Sequence, residues 1–426
     1  MGKRILLAPF GSLGDLHPYM ALAHALQRRG HTPVIATFST YRDTLRDADI
    51  EFAAIRPDAD IFGSMESAIR RIFAGRRGVE YLVRDLFMAH IAASYEDLNR
   101  VAAGCDLIVT HPIGYAGPLV AQKRGLPWAS SVLAPLSLLS CIAPPIIDGA
   151  SFLRYVRALG VTPYRWAFAL AKRATAHWEK PLRALRDELQ LPPAPSAMFE
   201  GQFSPQLNLA LFSPQLATAQ ADWPVNTVMC GFPRYDGKPL AADGQAVLQR
   251  FLDAGANTGE APLVFGLGSS AVLIAGDFWR HAIAASQALG RRAILLCGVP
   301  PAQLGALPPT VQAFEYLPYS AVFPHAAAVI HQAGIGTLAQ ALAAGRPQLI
   351  VPVAFDQPDN AQRTQALGVA RVLPFKKVTA RRLADVLQPL LEDRAYATRA
   401  ATVAAALAQE EDASGKACDA LERLLR

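Results

Sequence analysis

Residues Val329–Asn360 read VIHQAGIGTLAQALAAGRPQLIVPVAFDQPDN, and the fold class follows from them. Ala327-Ala328-Val329-Ile330 is a short apolar run of the kind that forms a buried parallel strand. It ends in His331-Gln332-Ala333-Gly334-Ile335-Gly336-Thr337. The helix formers Leu338–Ala344 come next, and Gly345 and Pro347 stop them. Leu349–Val351 is the following strand, with Phe355-Asp356-Gln357-Pro358 as the loop beyond it. Strand, glycine turn, helix and strand make a βαβ unit. The glycines let backbone amides approach an anion, and the helix N-terminus adds a partial positive charge. The polar loop stands at the carboxyl end of the second strand, where open α/β sheets bind ligands.

The same grammar begins the chain. Lys3–Pro9 predicts a buried strand, Phe10-Gly11-Ser12-Leu13-Gly14-Asp15-Leu16-His17-Pro18 a glycine turn, and Tyr19–Arg29 an amphipathic helix closed by Gly30. Strands are predicted at His31–Thr37, Glu51–Ile55, Asp106–Thr110 and Trp128–Leu133. His111 ends the fourth. Ile61–Val101 and Ser151–Leu189 read as helical, and Pro135–Gly149 as an apolar loop. Leu207–Phe212 and Val225–Gly231 complete the first set of strands. The pattern restarts at Leu263–Leu267, a strand ending in Gly268-Ser269-Ser270, and continues through Ala293–Leu296 and Val311–Tyr316. Leu383–Glu392 and Tyr396–Gln409 are amphipathic, and Ser414 is the expected N-cap of a last helix. These elements predict an α/β protein of two Rossmann-like, doubly wound parallel-sheet domains facing a cleft. The expected boundaries are 1–232, a linker at 233–244, 245–409, and a C-terminal helix at 410–426 packing back toward the first domain.

The chain has 426 residues, enough for two full cores, and a net charge of +6. No apolar run reaches ~18 residues without charge, so no membrane-spanning helix is expected. Met1–Phe10 leads into a strand and reads as neither signal peptide nor acylation site. Cys105, Cys141, Cys230, Cys297 and Cys418 are scattered, without metal-site spacing, which favours a reducing cytoplasm and no zinc. No nucleic-acid-binding motif is present. Arg70-Arg71 and Arg76-Arg77, with Ile69, Ile72, Phe73 and Tyr81, read as a solvated basic helix face; weak peripheral contact with an anionic membrane is the other use open to them.

With both halves read, the chain resembles bacterial family 1 glycosyltransferases along nearly its whole length. The carriers are His331-x-x-Gly334-x-Gly336-Thr337 with Asp356-Gln357, and Gly11-Ser12-x-Gly14-Asp15-x-x-Pro18. Asp222-Trp223-Pro224, Gly231-Phe232-Pro233 and Ala354–Ala361 are similar to rhamnosyltransferases of rhamnolipid synthesis. The resemblance implies the GT-B fold, acceptor on the first domain and nucleotide sugar on the second, and inversion without a bound metal or cofactor. It implies a UDP- or dTDP-sugar as co-substrate.

Such chemistry needs a base for the acceptor proton, stabilisation of the leaving diphosphate and in-line positioning. Asp15 matches the acidic position of the first glycine loop. His111 is the other candidate, either as proton acceptor oriented by Asp15 or as a packed strand-end histidine. For the diphosphate the resemblance points to His331, Gly334, Gly336 and Thr337, with Ser269 and Ser270 as further donors. Tyr316 and Leu317 fall where the family stacks a ring on the base, and Tyr319 where it often has Gln. Asp356 and Gln357 match the pair that reads sugar hydroxyls. Ser12, His17, Ser137 and Ile142 are candidate acceptor contacts. The apolar residues of Ser137–Ile147 and Ile61–Met88 read as pocket wall or as ordinary core.

The leading expectation is hexose transfer to a hydroxyl of a hydrophobic aromatic or lipid acceptor. Rhamnosyl transfer to a β-hydroxyacyl acid, a nucleotide-sugar epimerase and a non-catalytic relative are the alternatives. Oligomeric state is left open.

Overall fold

The computed structural model describes residues 2–58, 61, 65–147, 153–256 and 260–426. The chain divides into two compact units, one running to Pro233 and taking in Glu411–Arg426, the other Arg234–Glu410.

The first unit is built on seven strands: β1 Arg4–Ala8, β2 Thr32–Thr37, β3 Glu51–Ala54, β4 Leu107–Thr110, β5 Trp128–Val132, β6 Leu207–Ala210 and β7 Thr227–Met229. All pair in parallel, in the order β3-β2-β1-β4-β5-β6-β7. β4 and β5 are buried along their whole length, so both faces of the sheet centre are covered, as apolar parallel strands require. Phe10 packs edge-on against Phe38 and Phe87. Val83, Leu86, Phe87 and Met88 belong to this core, so the apolar end of Ile61–Met88 is not a pocket wall. The 62–64 part of that run lies outside the described residues.

The second unit has six strands: β8 Leu263–Gly266, β9 Ala293–Leu296, β10 Val311–Phe314, β11 Ala328–His331, β12 Gln348–Ile350 and β13 Ala370–Val372. They too are all parallel, in the order β10-β9-β8-β11-β12-β13. β13 is a short edge strand of three residues, too brief to show a period.

Several helix boundaries differ from the sequence reading. The first helix runs Leu13–Arg28 and carries Pro18 inside it, six residues earlier than expected. Ser12 caps it and Asp15 returns the bond, which outweighs the local signal of Gly14 and Pro18 as breakers. The helix after β11 starts at Ile335, not Leu338, because Gly334 is its N-cap. Of Ser151–Leu189, residues 151 and 152 lie outside the described residues; the rest holds three α-helices, Leu153–Ala158, Val161–Thr175 and Lys180–Glu188, the first two parted at Gly160 with φ +110°. The last helix, Ala413–Leu424, is capped by Asp412 rather than Ser414. It packs on the first helix, where Arg29 meets Asp419 at 2.5 Å and His31 meets Glu422 at 3.2 Å.

Each sheet reverses winding once. In the first unit the reversal lies between β1 and β4, in the second between β8 and β11. Loops leaving neighbouring strands in opposite directions open a crevice at such a point. The sequence puts Asp15 and His111 beyond one pair of strands, and Ser269 and His331–Thr337 beyond the other.

Candidate active site

In the first unit, the capping geometry places Asp15 in the first helical turn. Its Oδ2 accepts the Ser12 backbone N–H at 2.8 Å and the Ser12 hydroxyl at 3.2 Å, while the Gly14 N–H donates to Ser12 Oγ at 3.2 Å. Gly11 makes room for this carboxylate: its φ is +129°, and a Cβ there would lie 2.2 Å from Asp15 Oδ2. Tyr41, which sequence reasoning passed over, donates from its hydroxyl to Gly11 O at 3.1 Å and steadies the loop.

His111 Nε2 lies 3.4 Å from Asp15 Oδ1. On the other side of the ring, Ile113 N–H donates to Nδ1 at 3.4 Å. A ring nitrogen that accepts carries no proton, so the neutral tautomer has its N–H on Nε2, facing the carboxylate. The His111 side chain is 8% exposed and that of Asp15 33%. A buried N–H therefore backs a carboxylate open to solvent. Behind them Tyr19 is fully buried with its hydroxyl on Ser131, and burial pushes its phenol well above the usual range.

His17, further along the same helix, is half-buried; Ser137, just after β5, is half-buried too, and Ile142 is 43% exposed. The loop carrying Ile142 is pinned by Asp222, whose carboxylate accepts from Ser140 Oγ at 2.7 Å and from the Cys141 and Ile142 amides at 2.6 and 3.1 Å.

In the second unit, the Ile335–Ala343 helix presents its N-terminus beside β11. The amides of its first turn precede the earliest intrahelical bond, Leu338 N–H to Gly334 O at 2.9 Å. Gly334 and Gly336 are partly exposed there, and Thr337 is buried with its hydroxyl donating to Tyr319 at 3.5 Å. Ser269 is exposed and Ser270 half-buried in the single helical turn Gly268–Ala271 beyond β8. Gln332 lies between these loops: a Cβ on Gly268 would meet its Nε2 at 2.2 Å, and one on Gly334 at 2.8 Å. These two glycines are thus the space that a buried glutamine occupies.

His331 is turned into the interior. It has no exposed surface, its Nδ1 accepts Ala333 N–H at 3.1 Å, and its Nε2 donates to Gln348 at 2.9 Å. The sequence-based assignment of a direct diphosphate contact is corrected accordingly: the ring shapes the turn from below. Burial lowers its pKa to about 4 from 6.5. The unfolded chain takes up this proton first, so stability is complete above about pH 6.5 and falls as pH drops toward 4, by roughly 3 kcal/mol for this group. Denaturant titrations at pH 7 and pH 4 are expected to show that component in the wild type and not in His331→Asn.

Leu317 is fully buried in the core, so no donor contact comes from its side chain. Tyr316 is 43% exposed and donates its hydroxyl to Asp236 O, which orients the ring. Asp236 also accepts from Gln340 at 2.9 Å. Gln357 is buried, and its carbonyl oxygen accepts the Val353 and Ala354 amides at 2.8 and 3.2 Å. That oxygen organises its own loop and is not left for a sugar.

Asn360 is the residue that sequence reasoning missed. It has no exposed surface; its Nδ2 donates to Ala333 O at 3.0 Å and to Asp356 Oδ2 at 2.7 Å, joining the glycine turn to the Asp-Gln loop. Both segments it ties hold non-glycine residues in left-handed backbone, Ala333 at φ +66° and Phe355 at φ +57°. Such conformations persist only where surrounding bonds over-determine them. The available signal was its place four residues beyond Asp356, one turn along a helix.

Two family descriptions match parts of the chain: the erythromycin biosynthesis protein CIII-like C-terminal domain over residues 297–419, and the glycosyltransferase family 28 N-terminal domain over residues 5–105. O-mycaminosyltylonolide 6-deoxyallosyltransferase of Streptomyces fradiae is 30% identical over 418 residues, 96% of this chain and 94% of the relative. An uncharacterised glycosyltransferase of Mycobacterium leprae is 30% identical over 433 residues, 98% of this chain and 96% of its own. Among solved structures, the glycotransferase of kitacinnamycin aligns over 100% of both chains with TM-score 0.72 and 20% identity. The glycosyltransferase VinC, solved with dTDP, aligns over 99% of both with TM-score 0.68 and 20% identity. The structures share the fold, and the Streptomyces relative is 30% identical along nearly the whole chain: the chain belongs to the family 1 GT-B glycosyltransferases and is an enzyme of that class.

Proposed function

We propose that this enzyme moves a hexose from a nucleoside-diphosphate sugar to a hydroxyl of a hydrophobic small molecule, with inversion at the anomeric carbon. The observation that carries this reading is the solvent-open Asp15 carboxylate backed by the buried His111 N–H at 3.4 Å. Asp15 accepts the acceptor proton as the hydroxyl oxygen attacks the sugar carbon. The bond to the diphosphate breaks on the opposite face, and a single in-line displacement inverts that centre. Negative charge then builds on the leaving diphosphate, where the amides of Gly334–Thr337 and the positive end of their helix stabilise it. No step is assigned to a metal or organic cofactor.

His111 orients the carboxylate and steadies the charge it holds before the proton arrives. This reverses the polarity in which His111 is the base and Asp15 its orienter. Asp356 contacts the sugar hydroxyls, held by Asn360. Tyr316 offers its ring to the base, and Ser269 and Ser270 add donors to the phosphates. Ser12, His17, Ser137 and Ile142 border the acceptor, so the first unit serves the acceptor and the second the donor. The Streptomyces relative is named for a 6-deoxyhexosyl transfer, and VinC was solved with dTDP, which ranks dTDP-6-deoxyhexoses, rhamnose among them, ahead of UDP-glucose as donors. A small-molecule acceptor is supported by the same relative, which is named for transfer to O-mycaminosyltylonolide.

A thermal-shift panel of dTDP- and UDP-sugars, followed by diphosphate release with hydroxylated aglycones, tests the reading. Stabilisation by at least one nucleotide and acceptor-dependent release are expected; failure of every nucleotide to bind overturns it. His111→Ala is expected to lose about 10- to 100-fold in kcat, the worth of one charge-assisted hydrogen bond of about 1.5–3 kcal/mol. Its nucleotide affinity should be unchanged, and His111→Gln, which restores an N–H donor, should recover most of the rate. Full turnover by the alanine variant would show that His111 is only packing.

A further inference from the structure

We propose that a small cavity behind His111 is a binding site for a single halide-sized anion, with Arg186 as its cation. The cavity has a volume of about 30 Å³, and His111, Gln122, Arg186 and Gln202 are the polar side chains in its wall, apart from Tyr115. None of its lining residues is acidic.

Arg186 comes from the Lys180–Glu188 helix and is 7% exposed. One of its terminal nitrogens donates to Gln122 Oε1 at 2.9 Å and to the Pro192 carbonyl; its Nε is buried with no partner. Both partners are neutral. Among the described residues no carboxylate lies within 4 Å of it. The buried carboxylate of Glu179 is engaged elsewhere, accepting from Ser196, from Met198 N–H at 3.0 Å and from Arg183 at 3.4 Å. A guanidinium keeps its charge even in such a place. The exposed carboxylate of Asp187, next in the chain, offsets only part of the desolvation that this guanidinium suffers, and a buried charge so incompletely balanced is unfavourable.

A water molecule in the cavity would satisfy the Nε–H and leave the charge. A monatomic anion answers both needs. The volume admits an occupant of about water size, since a cavity of roughly 10–15 Å³ already accepts one water. Because His111 borders both this cavity and Asp15, the test reads stability and bound bromide rather than turnover.

The test compares thermal unfolding of the full chain in sodium chloride, sodium bromide and sodium gluconate at matched ionic strength. Saturable stabilisation by the two halides, by a few degrees over gluconate, is expected. Crystals grown in bromide should show an anomalous peak within hydrogen-bonding distance of Arg186. Arg186→Met, which removes the charge and keeps much of the volume, should unfold at the same temperature in all three salts. Equal unfolding temperatures for the wild type, a bromide-free cavity filled by water, or a halide response that survives in Arg186→Met each overturn the proposal. Should the variant fail to fold, the bromide crystal decides it on the wild type.

Discussion

Asp15→Asn is expected to lower kcat by about 10³-fold while leaving nucleotide affinity and fold intact, the range being that of a lost general base. The substitution keeps the shape of the side chain and an oxygen able to accept the Ser12 N–H, now at 2.8 Å. It removes only the capacity to take a proton. Because Asp15 also serves the first turn of its helix, a structural loss of up to about 1 kcal/mol is expected from weakening that cap. The two effects separate cleanly. Single-turnover rates report the base, calorimetric titration with nucleotide the donor site, and denaturant unfolding the cap. Wild-type turnover by Asp15→Asn would leave Asp15 a helix cap and nothing more. Gly11 belongs to the same argument, since a methyl group there would lie 2.2 Å from the carboxylate oxygen that the cap holds in place.

The second large effect is expected from Asn360→Leu. Two bonds are lost at once, to Ala333 O and to Asp356 Oδ2, and neither acceptor gains a replacement inside the protein. Leaving the buried carbonyl without its donor should destabilise the protein by about 1–3 kcal/mol. Donor binding suffers more than stability alone implies. Ala333 and Phe355 hold left-handed backbone on either side of the glycine turn and the Asp-Gln loop. Freed to relax, both loops lose the geometry that aims helix amides and the Asp356 carboxylate. Nucleotide affinity is expected to fall by about tenfold or more, the equivalent of at least about 1.4 kcal/mol. Calorimetry with nucleotide, alongside unfolding at the same pH, checks both parts. A destabilised variant with unchanged nucleotide affinity would confine Asn360 to a structural role.

Strand positions other than that of β13 were legible because apolar runs of four to six residues bounded by glycine carry their own signal. Both glycine loops were legible too. Helix starts were not. Pro18 and Gly14 look like breakers one residue at a time, yet the Ser12–Asp15 capping box starts the helix at Leu13. Gly334 and Gly336 look like loop, yet the helix begins between them at Ile335. A cap is a bond between a side chain and an amide, and neighbouring residue types only hint that it forms.

Side-chain direction lay further out of reach. A strand-end histidine faces a ligand or the interior depending on what packs beneath it, and His331 faces Gln348, 17 residues away in sequence. Asn360 reaches back 27 residues to Ala333, and Arg186 reaches 64 to Gln122. By itself the sequence determined the two parallel α/β units, the loops at their winding reversals and the chemical groups those loops carry, because period, punctuation and residue type are local. Tertiary structure alone decided which of those groups stay open to solvent, which support them from below and which way the Asp15–His111 proton points, because each of these depends on burial and on partners distant in the chain.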